Sequence, residues 1–192
     1  MMKRDTIKSI LARPAAGGEV TVMGWARAVR AQKAVIFIQV NDGSCLANLQ
    51  VVVPAAHPDF ERLSRLSQGA GLKAVGELAA SAGSGQAYEL VARELVIYGE
   101  ADPGSYPLQK KQHSFEFLRE SVAHLRPRTR TFGAVLRVRN VLARAIHDFY
   151  QGRGFIWAHT PIITASDCEG AGQMFRVSTL DPAHPWTTTE PR

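Results

Sequence analysis

The sequence predicts two parts of different structural class: a small β-barrel, followed by the beginning of a domain that mixes helix and strand. Within residues 19–98, five runs alternate apolar and polar side chains with the period of two that half-buried strands require. Between the two parts, residues 100–112 contain Pro103, Gly104 and Pro107, which is typical of a linker. Beyond this linker the apolar period changes to 3.6, which indicates helices.

The predicted order in the first part is three strands, a short helix and two strands. We expect the strands at 19–29, 35–41, 46–53, 72–78 and 87–98, and the helix at 58–68. Asp42-Gly43-Ser44 indicates a turn between the second and third strands. Gly69 follows the helix at a position where a glycine cap is common. This order is that of an OB-fold barrel, a fold that binds nucleic acid on the face of strands two and three.

The second part begins with two predicted helices. A short one is expected over 115–125, and Arg126–Arg130 then interrupts the apolar pattern. A longer one is expected over 132–151, with an apolar stripe of Val135, Val138, Leu142, Ile146 and Phe149. Residues 155–164 return to strand character.

Composition excludes several classes of function. The net charge of +6 permits a polyanionic partner but is also compatible with an ordinary basic surface. Cys45 and Cys168 have no neighbouring ligand at metal-binding spacing, so we predict no metal site; two isolated cysteines suit a reducing compartment, here the cytoplasm. No apolar run approaches the ~20 residues of a membrane span, and no phosphate-binding glycine loop occurs.

Alternation in the second and third strands assigns their two faces. Ile36, Ile38 and Val40 share one face with Leu49, Val51 and Val53 of the next strand, and these aliphatic sets are expected inside the barrel. The outer face then carries the aromatic ring of Phe37 and three amides, Gln39, Asn48 and Gln50. Two arginines, Arg27 and Arg30, are expected just after the first strand.

An aromatic ring on a polar surface is suited to stacking on an unpaired base, and amides can pair with base edges. We therefore predict that this face binds single-stranded nucleic acid. Two alternatives remain open from the residues alone. The linker could cover Phe37, and Gln50 could serve only to cap the edge of a strand.

Several short motifs then identify a family. Residues 160–172 read Thr-Pro-Ile-Ile-Thr-Ala-Ser-Asp-Cys-Glu-Gly-Ala-Gly, and 124–129 read His-Leu-Arg-Pro-Arg-Thr. Together with Leu118-Arg119-Glu120, and with Gly24-Trp25 upstream of Phe37 and Leu49-Gln50-Val51-Val52, they resemble the N-terminal portion of asparaginyl-tRNA synthetase. That enzyme is a class II aminoacyl-tRNA synthetase of the aspartyl, asparaginyl and lysyl subgroup.

The resemblance implies roles for particular residues. Phe37 would stack on an anticodon base, while Gln50 and Arg30 would read the central uridine. Glu169 would hold the amino group of asparagine in a loop with Ser166 and Asp167. Phe155 and Pro161 would lie in motif 1, which builds a homodimer interface in this family.

The resemblance also implies a division of the chain. Residues 1–104 would form the anticodon-binding OB-fold domain, 105–130 a hinge, and 131–192 the truncated start of an α+β class II catalytic domain. Gly172 stands where the aspartyl branch has arginine, which favours the asparaginyl branch. Gln173 departs from the glutamate of related asparaginyl enzymes, which puts that position's role in doubt.

The implied reaction is ATP-dependent activation of asparagine and its transfer to tRNA(Asn). Motifs 2 and 3, which would hold ATP and Mg²⁺, would lie beyond Arg192, so we expect no catalytic residue within these 192 residues and no tight cofactor binding. Expected partners are tRNA(Asn), asparagine, ATP and a second copy of the chain, with no membrane. Two alternatives remain: a free-standing OB-fold RNA-binding protein, and a fragment of an aspartyl-tRNA synthetase.

Overall fold

The structure is a computed structural model that describes residues 4–83, 85–108, 113–166, 170, 175 and 177. Its regular elements are α1 (Ile7–Leu11), β1 (Glu19–Ala31), β2 (Val35–Asn41), β3 (Leu49–Pro54), α2 (Phe60–Leu63), β4 (Gly71–Ala80), β5 (Tyr88–Gly99) and α3 (Arg130–Gln151). A π-helical turn covers Phe117–Ser121 and a 3₁₀ turn covers Arg126–Arg128. Among the described residues, no helix is both long and apolar enough to cross a membrane.

The five strands close into a barrel in the order β1-β2-β3-β5-β4. β3 and β5 run parallel, and every other neighbouring pair is antiparallel. Both predicted aliphatic sets lie fully inside the barrel, with leucines and valines of the other strands completing the core. The predicted five-stranded OB-fold barrel is therefore confirmed, because the period of two puts Ile36, Ile38 and Val40 of β2 and Leu49, Val51 and Val53 of β3 on one face.

The first helix, α1, closes one part of the barrel core and was not predicted. Thr6 caps it by accepting a hydrogen bond from the Ser9 amide at 3.1 Å. Ile7 and Ile10 are fully buried against the barrel. Two apolar residues in five give too short a pattern to distinguish a helix from a loop.

Helix α2 is shorter than the predicted 58–68. It ends at Leu63, although Leu66 is still buried in the core beyond it. Gly69 is therefore not its cap. It has a φ of +98°, and an added Cβ would overlap the ring of Tyr106. A glycine is needed there because the segment after the barrel packs directly on this turn.

That segment has a small core of its own. Leu108, Leu118 and Val122 are buried and pack with Tyr106, Phe117, Leu125 and Phe132. It is tied to the turn before β4 by Gln68, whose Nε2 donates to the Leu108 carbonyl at 2.5 Å, and by the Ser67 hydroxyl, which donates to the Ala101 carbonyl.

Two predicted elements of the second part differ from the structure. The helix expected over 115–125 begins at Phe115 but is π-helical over Phe117–Ser121 and ends at Val122, whose ψ is +38°, and a separate 3₁₀ turn follows. Instead of a strand over 155–164, the structure has irregular, exposed chain. No described residue pairs with it, and an extended segment without a neighbouring strand gains no ladder hydrogen bonds.

The chain divides into two compact units, residues 1–142 and 143–192. In the second unit, the end of α3 and the residues after it form a cluster of rings. Tyr150 makes an edge contact with Phe155 at 5.4 Å, and His147 one with Trp157 at 4.7 Å, measured between ring centroids. The Arg153 guanidinium lies 3.6 Å from the Phe149 ring centroid.

Candidate nucleic-acid interface

Phe37 and Arg30 form a stacked pair on the outer face of β1 and β2. They are direct partners in the antiparallel register, and the guanidinium carbon of Arg30 lies 4.8 Å from the ring centroid of Phe37. Arg27 and Arg30 were expected after the first strand, but both lie within it, because β1 continues to Ala31. Phe37 is half-buried, and the guanidinium of Arg30 lies over its ring.

The three predicted amides form a row beside this pair. Gln39 of β2 and Gln50 of β3 are direct register partners, and Asn48 precedes β3. The Asn48 Nδ2 donates to Gln39 Oε1 at 3.3 Å. The structure therefore brings Phe37, Arg30 and the three predicted amides together on one surface, which we call the amide face.

Glu89 of β5 also belongs to the amide face and was missed from sequence. Its carboxylate accepts from Gln50 Nε2 and from the Ser81 hydroxyl, both at 3.3 Å. It stands opposite Gln50 because β5 pairs with β3 in parallel. Strand alternation cannot reveal which non-consecutive strands are neighbours, so nothing in the local sequence pointed to this residue.

Arg27 lies where the β1–β2 register shifts, between Ala26 and Ala28. It lines a depression of about 1500 Å³ in the first unit, together with Gln39, Asn48 and residues of the hinge and α3. Arg128 and Arg137 also line it. Arg128 stacks on Trp25 with its guanidinium carbon 4.9 Å from the ring centroid, and Arg137 donates to the Gly43 carbonyl at 2.6 Å. The amide face therefore continues into a basic surface that could neutralise phosphates.

The residues predicted to bind the amino acid are mostly undescribed. Asp167 and Glu169 lie outside the described residues. Ser166 is exposed, and its amide donates to the Thr164 hydroxyl at 3.1 Å. Phe155 and Pro161, predicted in a dimer interface, are both exposed. Within the described part of the chain, no three His, Cys, Asp or Glu residues are grouped to hold a metal ion.

Among the residues that the structure describes, two ionisable groups have clearly shifted pKa values, and each has a local cause. The hydrogen bond to Glu94 raises the pKa of Lys73 on β4. The backbone amide of Gly104 and the Ser105 hydroxyl lower the pKa of Asp102 after β5. Neither residue belongs to the amide face.

Two protein-family models match the chain. One describes an OB-fold nucleic acid binding domain and covers residues 20–98. The other describes class II tRNA synthetases of the D, K and N type and covers residues 116–187. The first model spans the barrel that carries the amide face.

Curated relatives match nearly the whole chain. The asparagine–tRNA ligase of Synechocystis sp. is 58% identical over 94% of the chain, and that of Geotalea uraniireducens is 54% identical over 96%. The chain spans only about 40% of the length of these relatives.

Among solved structures, asparaginyl-tRNA synthetase from Pyrococcus horikoshii, complexed with asparaginyl-adenylate, superposes with a TM-score of 0.78 at 20% identity. The superposition covers 93% of this chain and 41% of that one. The aspartyl tRNA synthetase of Entamoeba histolytica superposes at 0.67 and 19% identity over 83% of this chain and 39% of that one. At such identities these superpositions establish the shared fold alone.

Proposed function

Because the chain resembles the N-terminal part of asparagine–tRNA ligases over nearly all its length, we propose that it is the anticodon-binding part of such an enzyme. In this proposal the amide face binds the anticodon loop of tRNA(Asn). The observation that carries it is the placement of an aromatic ring, an arginine and three amides on one outer face of an OB barrel.

The geometry supports recognition of an unpaired base. A base stacked near Phe37 contributes roughly 1–3 kcal/mol, and Arg30 already offers a second flat surface beside the ring. Gln39 and its register partner Gln50 stand two register positions from the ring, and Asn48 is hydrogen-bonded to Gln39, so all three offer polar groups to a base edge. Arg27 would contact the RNA backbone, where cations contribute affinity without reading sequence.

The remaining assignments concern the whole enzyme. We assign Glu169, with Ser166 and Asp167, to the asparagine ammonium group, since a carboxylate is the natural partner of that cation. We assign Phe155 and Pro161 to a homodimer contact, and we keep the domain limits at 1–104, 105–130 and 131–192. The parent enzyme would work in the cytoplasm, as the two isolated cysteines suggest.

We assign ATP and Mg²⁺ to the parent enzyme, and no step of the reaction is assigned to this chain. Among the described residues, no three His, Cys, Asp or Glu side chains are grouped to hold a metal ion. Magnesium in nucleotide sites is held by one or two carboxylates together with the phosphates of the nucleotide.

The proposal is tested with an RNA hairpin carrying the asparagine anticodon. Phe37→Ala should weaken binding about tenfold or more at fixed salt, because the stacked base loses its platform. Tyr98→Ala is the matched control, since this exposed ring lies on β5 seven residues beyond Val91, the last β5 residue that pairs with β3. Equal affinity of the wild-type chain and Phe37→Ala would remove the assignment.

An aspartyl enzyme remains the second candidate, because an aspartyl-tRNA synthetase shares this fold. Charging assays on the full-length parent with asparagine and aspartate separate the two. Charging with asparagine alone supports the proposal, whereas charging with aspartate contradicts it.

A further inference from the structure

The three amides Asn41, Asn48 and Gln39 form a hydrogen-bonded relay that ends on the amide face. Asn41, the last residue of β2, is buried, and its Nδ2 donates to Asn48 Oδ1 at 3.0 Å. Asn48 Nδ2 in turn donates to Gln39 Oε1 at 3.3 Å. Each amide accepts from the one before it, so the orientation of the first decides the orientation of the last.

The first amide cannot be turned round, because backbone groups hold both of its ends. Its Oδ1 accepts from the Gly43 amide at 2.9 Å, and that N–H group can only donate. Its Nδ2 donates to the Ala47 carbonyl at 3.0 Å, and that oxygen can only accept. A flipped Asn41 would face donor to donor at Gly43 and acceptor to acceptor at Ala47, which is costly for a buried side chain.

The turn that supplies those backbone groups is itself held in place. The Asp42 carboxylate accepts from the Ser44 amide at 2.9 Å and from the Ile7 amide of α1 at 2.9 Å. Arg137 of α3 donates to the Gly43 carbonyl. The polarity of the relay is therefore fixed by the fold before any ligand arrives.

We propose that this relay sets the base preference of the amide face by holding Gln39 as a hydrogen-bond donor, with Asn41 as the buried positioning residue. Gln39 Oε1 is engaged by Asn48, whereas its exposed Nε2 has no partner among the described residues. Placed against the exocyclic group at C4 of a pyrimidine or C6 of a purine, a donor pairs with the keto oxygen of uracil or guanine but meets another donor in the amino group of cytosine or adenine. The selected ligand is thus single-stranded RNA with keto bases at the position beside Phe37.

This inference rests on the proposed RNA binding, so the experiment separates the two. The probes are two hairpins that differ only in having uridines or cytidines at the central loop positions, and the readout is the ratio of their dissociation constants. The wild-type chain should prefer the uridine loop roughly tenfold, about the effect of one or two base hydrogen bonds.

Asn48→Asp reverses the end of the relay without touching Asn41. The new carboxylate still accepts from Asn41, but it cannot donate to Gln39, so Gln39 must turn its Nε2 inward and present Oε1. The preference should fall to unity or change to the cytidine loop. Gln39→Glu presents an acceptor directly and should shift the ratio in the same direction.

Ala47→Asp is the matched control, because it adds the same charge to the exposed neighbour of Asn48 and leaves the relay amides intact. It should weaken both hairpins equally and keep the wild-type ratio. Thermal melting of each variant verifies that it is folded.

An equal affinity of the wild-type chain for both loops overturns the relay, and so does a wild-type ratio in Asn48→Asp. If neither hairpin binds, or if Phe37→Ala binds both as well as the wild-type chain, the proposed RNA-binding function itself fails.

Discussion

The barrel and helix α3 use their aliphatic side chains in opposite ways. In the barrel, Val51 and its neighbours on β2 and β3 are fully buried. On α3, the apolar stripe predicted from sequence is exposed: Val138 is 58% exposed and Ile146 59%. The barrel completes its core within the chain, whereas the described residues leave the α3 stripe uncovered.

The contacts of α3 with the barrel lie on a different side of the helix. Gly133 lies against Leu46 and the Pro127 carbonyl, and Arg137 binds the Gly43 carbonyl. These two residues are four apart and share a face, which is turned by more than a right angle from Val138. A regular 3.6-residue stripe therefore identifies a surface suited to burial, but not the partner that buries it.

The largest expected effect is the difference in stability loss when a valine is replaced by alanine in the barrel and on α3. Val51→Ala should lower the free energy of unfolding by about 2–3 kcal/mol, because it removes two buried methyl groups and leaves a cavity. Val138→Ala should change it by less than about 0.5 kcal/mol, since the side chain is exposed and alanine favours helix. Urea denaturation at low protein concentration measures both, and equal effects would contradict the difference in burial.

The next effect concerns association through the α3 stripe. We expect the chain to self-associate at micromolar concentrations, because a stripe of at least five exposed apolar side chains on one helix favours burial against a second copy. Replacing Val138 and Ile146 together by lysine should raise the dissociation constant at least tenfold, measured by analytical ultracentrifugation.

The matched control replaces Asn140 and Gln151 by lysine, which adds the same charge to the other side of α3. It should associate like the wild-type chain. A wild-type chain that sediments as a monomer over the same concentrations would remove the expectation of a dimer through this stripe.

Sequence patterns located what is local and repetitive in this molecule. Ile36, Ile38 and Val40 could be placed inside the barrel because alternation fixes which side of a strand faces the core. The same alternation put Phe37 and Gln39 on the outer face, next to residues of the neighbouring strand. The binding roles of these outer residues remain predictions.

What the patterns could not supply depends on non-local pairing. Glu89 joins the amide face only because β5 lies parallel to β3, and the Asn41 relay depends on a turn held by α1 and α3. The expected strand at 155–164 has the right residues but no described neighbour to pair with. Whether such a segment forms a strand depends on a neighbouring strand, because an extended segment cannot pair its own backbone N–H and C=O groups.

The smallest expected effect tests how the 3₁₀ turn before α3 is fastened to the barrel. Arg128 stacks on Trp25, and a planar guanidinium makes this contact better than an ammonium of equal charge. Arg128→Lys should therefore lower the free energy of unfolding by about 0.5–1 kcal/mol while keeping the net charge.

A double-mutant cycle with Trp25→Leu isolates the contact, because each single variant also loses other interactions. The coupling energy should be of the same size and should persist in high salt, since stacking is screened less than an exposed ion pair. A coupling indistinguishable from zero would mean that the turn is held by the packing of Leu108, Leu118 and Val122 alone. The junction between the two regions would then depend on apolar burial, as the barrel does, rather than on its arginines.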